Sequence, residues 1–179
     1  MRRERKLFCM TTFVEKWEVL AAMAKMAEGQ ERLFPEFQKR LAELIEEKGC
    51  SKREFARQVG VSKDVIIRGT MYGIVPSLQS LIKIADSLNL PLDYLLGKSD
   101  DINFYKSETN ATFHARIVEL ANEKGVKYSE IAHKMPFPNS YFYDWQREKT
   151  LPSLEYLRAI AEYFKVSIDY LLGRTDEKD

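Results

Sequence analysis

Apolar residues recur along most of this chain at the spacing of an α-helix, and polar caps divide them into short segments. Phe13, Trp17, Leu20 and Ala24 fall on one helical face, which Met23 and Met26 widen before Gly29 ends it. From Pro35 to Lys48 the inward set is Phe37, Leu41, Leu44 and Ile45. Ser51-Lys52-Arg53-Glu54 is a capping box, in which each end residue satisfies an orphan amide of a helix start. Phe55, Ala56 and Val59 follow as an apolar stripe, and Gly60 suits a C-terminal stop. Ser62 then caps a second short helix with Val65 and Ile66 turned inward. Helix, tight turn with glycine, helix is the pattern of a helix-turn-helix. Ser77 caps a fourth helix with Leu78, Leu81, Ile84, Ala85 and Leu88 inward. Pro91 suits the first turn of a short fifth helix, and Gly97 closes it.

The whole set then repeats. Pro76-Ser77-Leu78 recurs as Pro152-Ser153-Leu154, and Asp93-Tyr94-Leu95-Leu96-Gly97 as Asp169-Tyr170-Leu171-Leu172-Gly173, both 76 residues on. The same offset, without a gap, pairs Phe37 with Phe113, Leu41 with Ile117, Leu44 with Leu120 and Ala56 with Ala132. The second copy is expected to form helices over Thr112–Lys124, Tyr128–Met135, Asn139–Gln146, Leu154–Phe164 and Ser167–Leu172. The expected organisation is a basic arm and N-terminal amphipathic helix (1–33), a first helix-turn-helix domain (34–98), a linker (99–110) and a second domain (111–179). Fully extended, about twelve linker residues span roughly 40 Å. Successive half-sites on one face of a duplex lie roughly 34 Å apart, so one chain has the reach to place both copies on neighbouring grooves.

Composition narrows the function. Hydrophobic residues make up 45% of the chain, enough to bury a core. Net charge is only +1, so any nucleic-acid binding must rest on local charge. Cys9 and Cys50 form no motif, which fits a reducing compartment, and no apolar run reaches the roughly 18 residues of a membrane span. A cytoplasmic protein without a membrane partner is expected. Enzyme readings fail on inventory: His114 and His133 are the only histidines, neither with a metal-ligand set, and no phosphate loop or nucleophile elbow occurs. Neither cofactor nor metal is expected.

Both copies resemble the lambda-repressor-like, Xre-type helix-turn-helix domain. The first does so through Ser51-Lys52-Arg53-Glu54, Gly60-Val61-Ser62, Pro76-Ser77-Leu78 and the Asp93–Gly97 ending. The second does so through Glu130-Ile131-Ala132, Trp145, Pro152-Ser153-Leu154 and the Asp169–Gly173 ending. The resemblance implies an all-α, phage or bacterial DNA-binding regulator, often dimeric, with the third helix of each domain in the major groove. Two departures stand out. The first copy has Gly69, Thr70 and Tyr72 where the family carries Trp-Glu-x-Gly, so its third helix is expected to end early or bend. The second has Met135-Pro136-Phe137-Pro138 in its turn, with Lys127 and Pro138 at the two cap positions.

Electrostatics favours the first copy as the reading head. Over residues 51–73, Lys52, Arg53, Arg57, Lys63 and Arg68 oppose Glu54 and Asp64, a balance of +3. Over residues 127–149, Lys127, Lys134, Arg147 and Lys149 oppose Glu130, Asp144 and Glu148, a balance of +1. Lys63 and Arg68 can donate to guanine, Asp64 can accept from cytosine, and Ile67 can pack on a thymine methyl group. The corresponding second-copy candidates are Tyr128, Asn139, Ser140 and Tyr143, with Arg147 and Lys149 near the helix end. Asn139 can bond adenine bidentately. Phe142 and Trp145 are expected in the core, and Tyr141 and Tyr143 outside. Two functions remain open. One is a transcriptional repressor on a double-stranded DNA operator, with or without homodimerisation. The other is a protein-interaction module, such as an antirepressor, antitoxin-like protein or phage inhibitor, with a protein partner on the second domain.

Overall fold

The computed structural model describes residues 34–109 and 111–178. The expected basic arm and amphipathic helix of residues 1–33 lie outside the described residues. Ten helices occur among the described residues. The first five are α1 (Pro35–Glu47), α2 (Lys52–Gln58), α3 (Lys63–Tyr72), α4 (Leu78–Leu88) and α5 (Leu92–Leu95). The second five are α6 (Phe113–Lys124), α7 (Tyr128–Lys134), α8 (Asn139–Glu148), α9 (Leu154–Phe164) and α10 (Ile168–Leu171). Order and lengths recur as the repeat requires, and the regular elements of the described residues are all helical.

The caps act as expected in the first bundle. The Glu54 amide donates to Ser51 Oγ at 3.3 Å, and the Ser51 amide donates back to Glu54 Oε2 at 3.0 Å. Ser62 Oγ accepts from the Val65 amide at 3.4 Å, and Ser77 Oγ from the Ser80 amide at 3.4 Å. Phe37, Leu41, Phe55, Ile66, Leu81, Ile84, Leu92 and Leu95 are fully buried, so each helix is held by its apolar stripe. The expectation that α3 stops early is corrected. It runs to Tyr72 and closes on Gly73 at φ 65°. Gly69 is not a breaker: a Cβ there would lie 2.7 Å from Leu41 Cδ2, so the missing side chain lets α3 press against α1. Thr70 keeps its hydroxyl within the helix, donating to the Ile66 carbonyl at 2.9 Å.

The second bundle rebuilds the same core without those caps. Lys127 and Pro138 make no side-chain cap. Instead Met135 and Phe137 turn inward from the turn and are buried. Phe137 packs on Trp145 at 5.2 Å and on Tyr156 at 4.6 Å between ring centroids. Phe142 is buried and Trp145 half-buried, while Tyr141 and Tyr143 are exposed, as their positions suggest. α8 runs two residues past its expected end and closes on Lys149 in the left-handed region, at φ 55°.

A buried arginine fastens the C-terminal end of each bundle. Arg40 stacks on Tyr94 at 4.4 Å, donates to the Tyr94 carbonyl and reaches the Ser99 carbonyl at 2.5 Å. Arg116, its counterpart in the repeat, stacks on Tyr170 at 4.3 Å and reaches the Thr175 carbonyl at 3.4 Å. A guanidinium suits this role because its fan of donors satisfies several carbonyls while its flat face covers a ring.

The two bundles touch through α5 and α10. The Leu92 amide donates to Asp169 Oδ2 at 2.7 Å, and the Ile168 amide to Asp93 Oδ2 at 3.3 Å. Arg174 binds Asp169 beside it and crosses to Asp86 at 2.9 Å and the Leu90 carbonyl at 3.2 Å. The linker is not a free tether. The Arg174 guanidinium lies 4.5 Å over the Phe104 ring, and the Ser107 amide donates to the Arg174 carbonyl at 2.7 Å.

Candidate nucleic-acid interface

In the first bundle α2 braces α3, and the starts of both helices lie toward solvent. Arg53, Arg57, Lys63, Asp64 and Arg68 are exposed, and Lys52 and Ile67 are half-buried. Among the described residues, none of the five cations makes an ion pair with a carboxylate. Glu54, the acid within α2, is turned to Ser51. The Ser51 side-chain hydrogen bond is the largest cause that holds its carboxyl below the usual range. The Arg57 charge adds a smaller pull in the same direction, without an ion-pair contact. Beyond Arg68 the outward face continues to Met71 and Tyr72, both more than half exposed. These two lie outside the expected set, because an α3 that stops early would not reach them. Their three- and four-residue spacing from Arg68 is the signal that places them on its face.

The second bundle presents different chemistry. Tyr128 packs on Phe142 at 4.5 Å, and its hydroxyl donates to the Phe142 carbonyl at 3.4 Å. Burial, with Tyr143 beside it, pushes its phenol up to about 12. Tyr128 thus serves the core boundary. Asn139 is half-buried and hydrogen-bonded to His133 Nδ1 at 2.8 Å. Arg147 is drawn to Asp144 at 2.8 Å and Glu148 at 3.2 Å, which cancels its charge locally. Ser140, Tyr143 and Lys149 are exposed. Lys149 is close enough to His114 to join burial in lowering that imidazole's pKa. The first-bundle candidates are thus all at least partly open to solvent, whereas three of the six second-bundle candidates are already engaged within the chain.

Among the described residues no His, Cys, Asp and Glu cluster suits a metal ion, and no helix is long and apolar enough to cross a membrane. No curated protein and no solved structure matches the chain. Residues 41–95, from within α1 to the end of α5, match a family model described as Helix-turn-helix.

Proposed function

We propose that the chain is a sequence-specific transcriptional regulator that acts as a repressor by occupying a double-stranded DNA operator. Its domains are residues 34–98 and 111–179, joined by 99–110, and it works in the cytoplasm. α3 of the first domain enters the major groove. Lys63, Asp64, Ile67 and Arg68 face base edges, while Lys52, Arg53 and Arg57 meet phosphates. The observation that carries this reading is the five cations carried by α2 and α3, none of which makes an ion pair with a carboxylate among the described residues. A polyanion binds such a surface by releasing its own counterions, so affinity falls steeply with salt.

The test is operator binding by the full chain after Lys63→Ala and Arg68→Ala, with the operator selected from a random duplex pool. Each loss of a phosphate contact flattens the log–log salt slope by about 0.9. Loss of a base contact weakens binding by about 1–3 kcal/mol at one position. Affinity and slope unchanged in both variants reject α3 as the reading head. A second reading, a protein-interaction module, is favoured by the exposed Tyr141 and Tyr143 of the second domain and by the neutralised Arg147. In that case no genomic duplex binds at low salt and a protein partner co-purifies.

A further inference from the structure

The contact between the bundles has the form of a two-fold axis. In an isologous interface, residue i of one unit meets residue j of the other, and j meets i. Here the Leu92 amide meets Asp169 and the Ile168 amide meets Asp93. Leu92 and Ile168 are equivalent in the repeat, as are Asp93 and Asp169. The flanking charges follow the same rule. Arg174 lies beside Asp169 and crosses to Asp86. Lys98, its equivalent, lies 3.8 Å from Asp93 and feels the charge of Glu162, the equivalent of Asp86. Two like domains packed in any other way would set one patch against an unrelated one. Reciprocity at both the amide–carboxylate pair and the flanking cation requires the same surface on both sides.

We infer that this chain is a single-chain counterpart of a symmetric dimer, whose α3 and α8 form the paired heads of one unit that takes a bipartite duplex with two unlike, inverted half-sites. The DNA half of this inference rests on the function proposed above. The α5 and α10 surfaces saturate each other within one chain, so a second copy finds no free equivalent. The half-sites are unlike because the heads are. Lys63, Asp64, Ile67 and Arg68 on α3 correspond to Asn139, Ser140, Tyr143 and Asp144 on α8.

The full chain tests this with and without DNA. Without DNA it is expected to run as a monomer of 20.9 kDa, with slow amide exchange at Leu92 and Ile168 at neutral pH. Asp169→Asn is expected to speed exchange at Leu92, and the milder Asp93→Asn at Ile168, while amides of the Phe37 and Phe113 helices stay protected. A dimer mass, or exchange at these amides that neither variant changes, overturns the pairing. On the selected operator, one chain is expected to protect two half-sites. Inserting five or ten base pairs between them is expected to reduce affinity about a hundredfold, toward that of the first half-site alone. Affinity indifferent to both insertions, or two chains per duplex, overturns the two-headed unit. If no duplex binds at all, the proposed function fails with the DNA half, and the mass and exchange measurements still decide the pairing.

Discussion

Gly69→Ala is a sharp test of how α3 is held. In an exposed helix interior this change stabilises by about 0.5–1 kcal/mol, because alanine has less backbone freedom to lose. Here the new methyl would lie 2.7 Å from Leu41 Cδ2 and 3.2 Å from Phe37 Cε1. Both side chains are fully buried, and close packing in a protein interior leaves them little room to move. Overpacking of this kind costs about 1–3 kcal/mol. Set against the propensity gain, the clash leaves an expected net loss of about 0–2.5 kcal/mol, centred near 1. Urea unfolding measures it directly; in a thermal melt each kcal/mol corresponds to roughly 2–4 °C for a chain of this size. A double-mutant cycle with Leu41→Val assigns the cause. The smaller residue is destabilising alone but should recover part of the loss when combined with Gly69→Ala, with a coupling of about 0.5–1.5 kcal/mol. Operator affinity should fall as well, although no charge has been removed, because α3 is displaced relative to α2. Greater stability in Gly69→Ala, or strict additivity in the cycle, refutes the close-approach argument.

Lys149→Gly should stabilise the chain by about 0.5–1 kcal/mol in the same unfolding assay, since Lys149 closes α8 at φ 55°, a region that costs a side-chain-bearing residue; an unchanged midpoint would mean the left-handed turn carries no strain. Burial raises the Asp169 carboxyl from an ordinary value near 3.8 to about 6, against the pull of Arg174 and the Leu92 amide and with Asp93 adding to the rise. Between those two values the folded chain holds a proton that the unfolded chain has released. Asp169 alone therefore makes stability fall as pH rises from about 4 to about 6, and flatten above. The urea midpoint of the intact chain minus that of Asp169→Asn should slope downward over this window; an upward slope would show that Arg174 dominates burial.

Much of the scaffold was legible because its signals are local. A capping box spans four residues, and an apolar stripe shows itself within three turns. Ser51, Glu54, Ser62 and Ser77 therefore marked helix starts that the structure reproduces. The length of α3 was not legible, because glycine's meaning at position 69 depends on Leu41, distant in sequence. The repeat also held a signal left unread. Arg40 and Tyr94 recur as Arg116 and Tyr170, which form the buried stacks, and the solvent-exposed Asp100 and Asp176 recur as the acids each arginine pairs with. The pairing of the bundles was beyond the pattern. A repeated Asp-Tyr-Leu-Leu-Gly says that two units are alike, not that each aspartate will accept an amide from the other unit. For the candidate site, helical register put the α3 residues on one outward face. It could not foresee that Tyr128 would turn its hydroxyl inward or that acids would hold Arg147.

The repeat preserves what builds and joins the bundles and alters what faces outward. Phe37 and Phe113, Leu92 and Ile168, and Asp93 and Asp169 keep their chemistry and their places. Arg68, by contrast, corresponds to Asp144, a reversal of sign at a position that faces outward on α3. A carboxylate turned toward a phosphate backbone repels it, and Arg147 offsets Asp144 only by giving up its own charge to that acid and to Glu148. In a two-headed complex the second head must then act through hydroxyl, amide and ring contacts more than through released counterions. The salt dependence of such a complex is set mainly by α2 and α3, even where both half-sites are occupied. Spacing between half-sites and sensitivity to salt would thus report on different heads of the same chain.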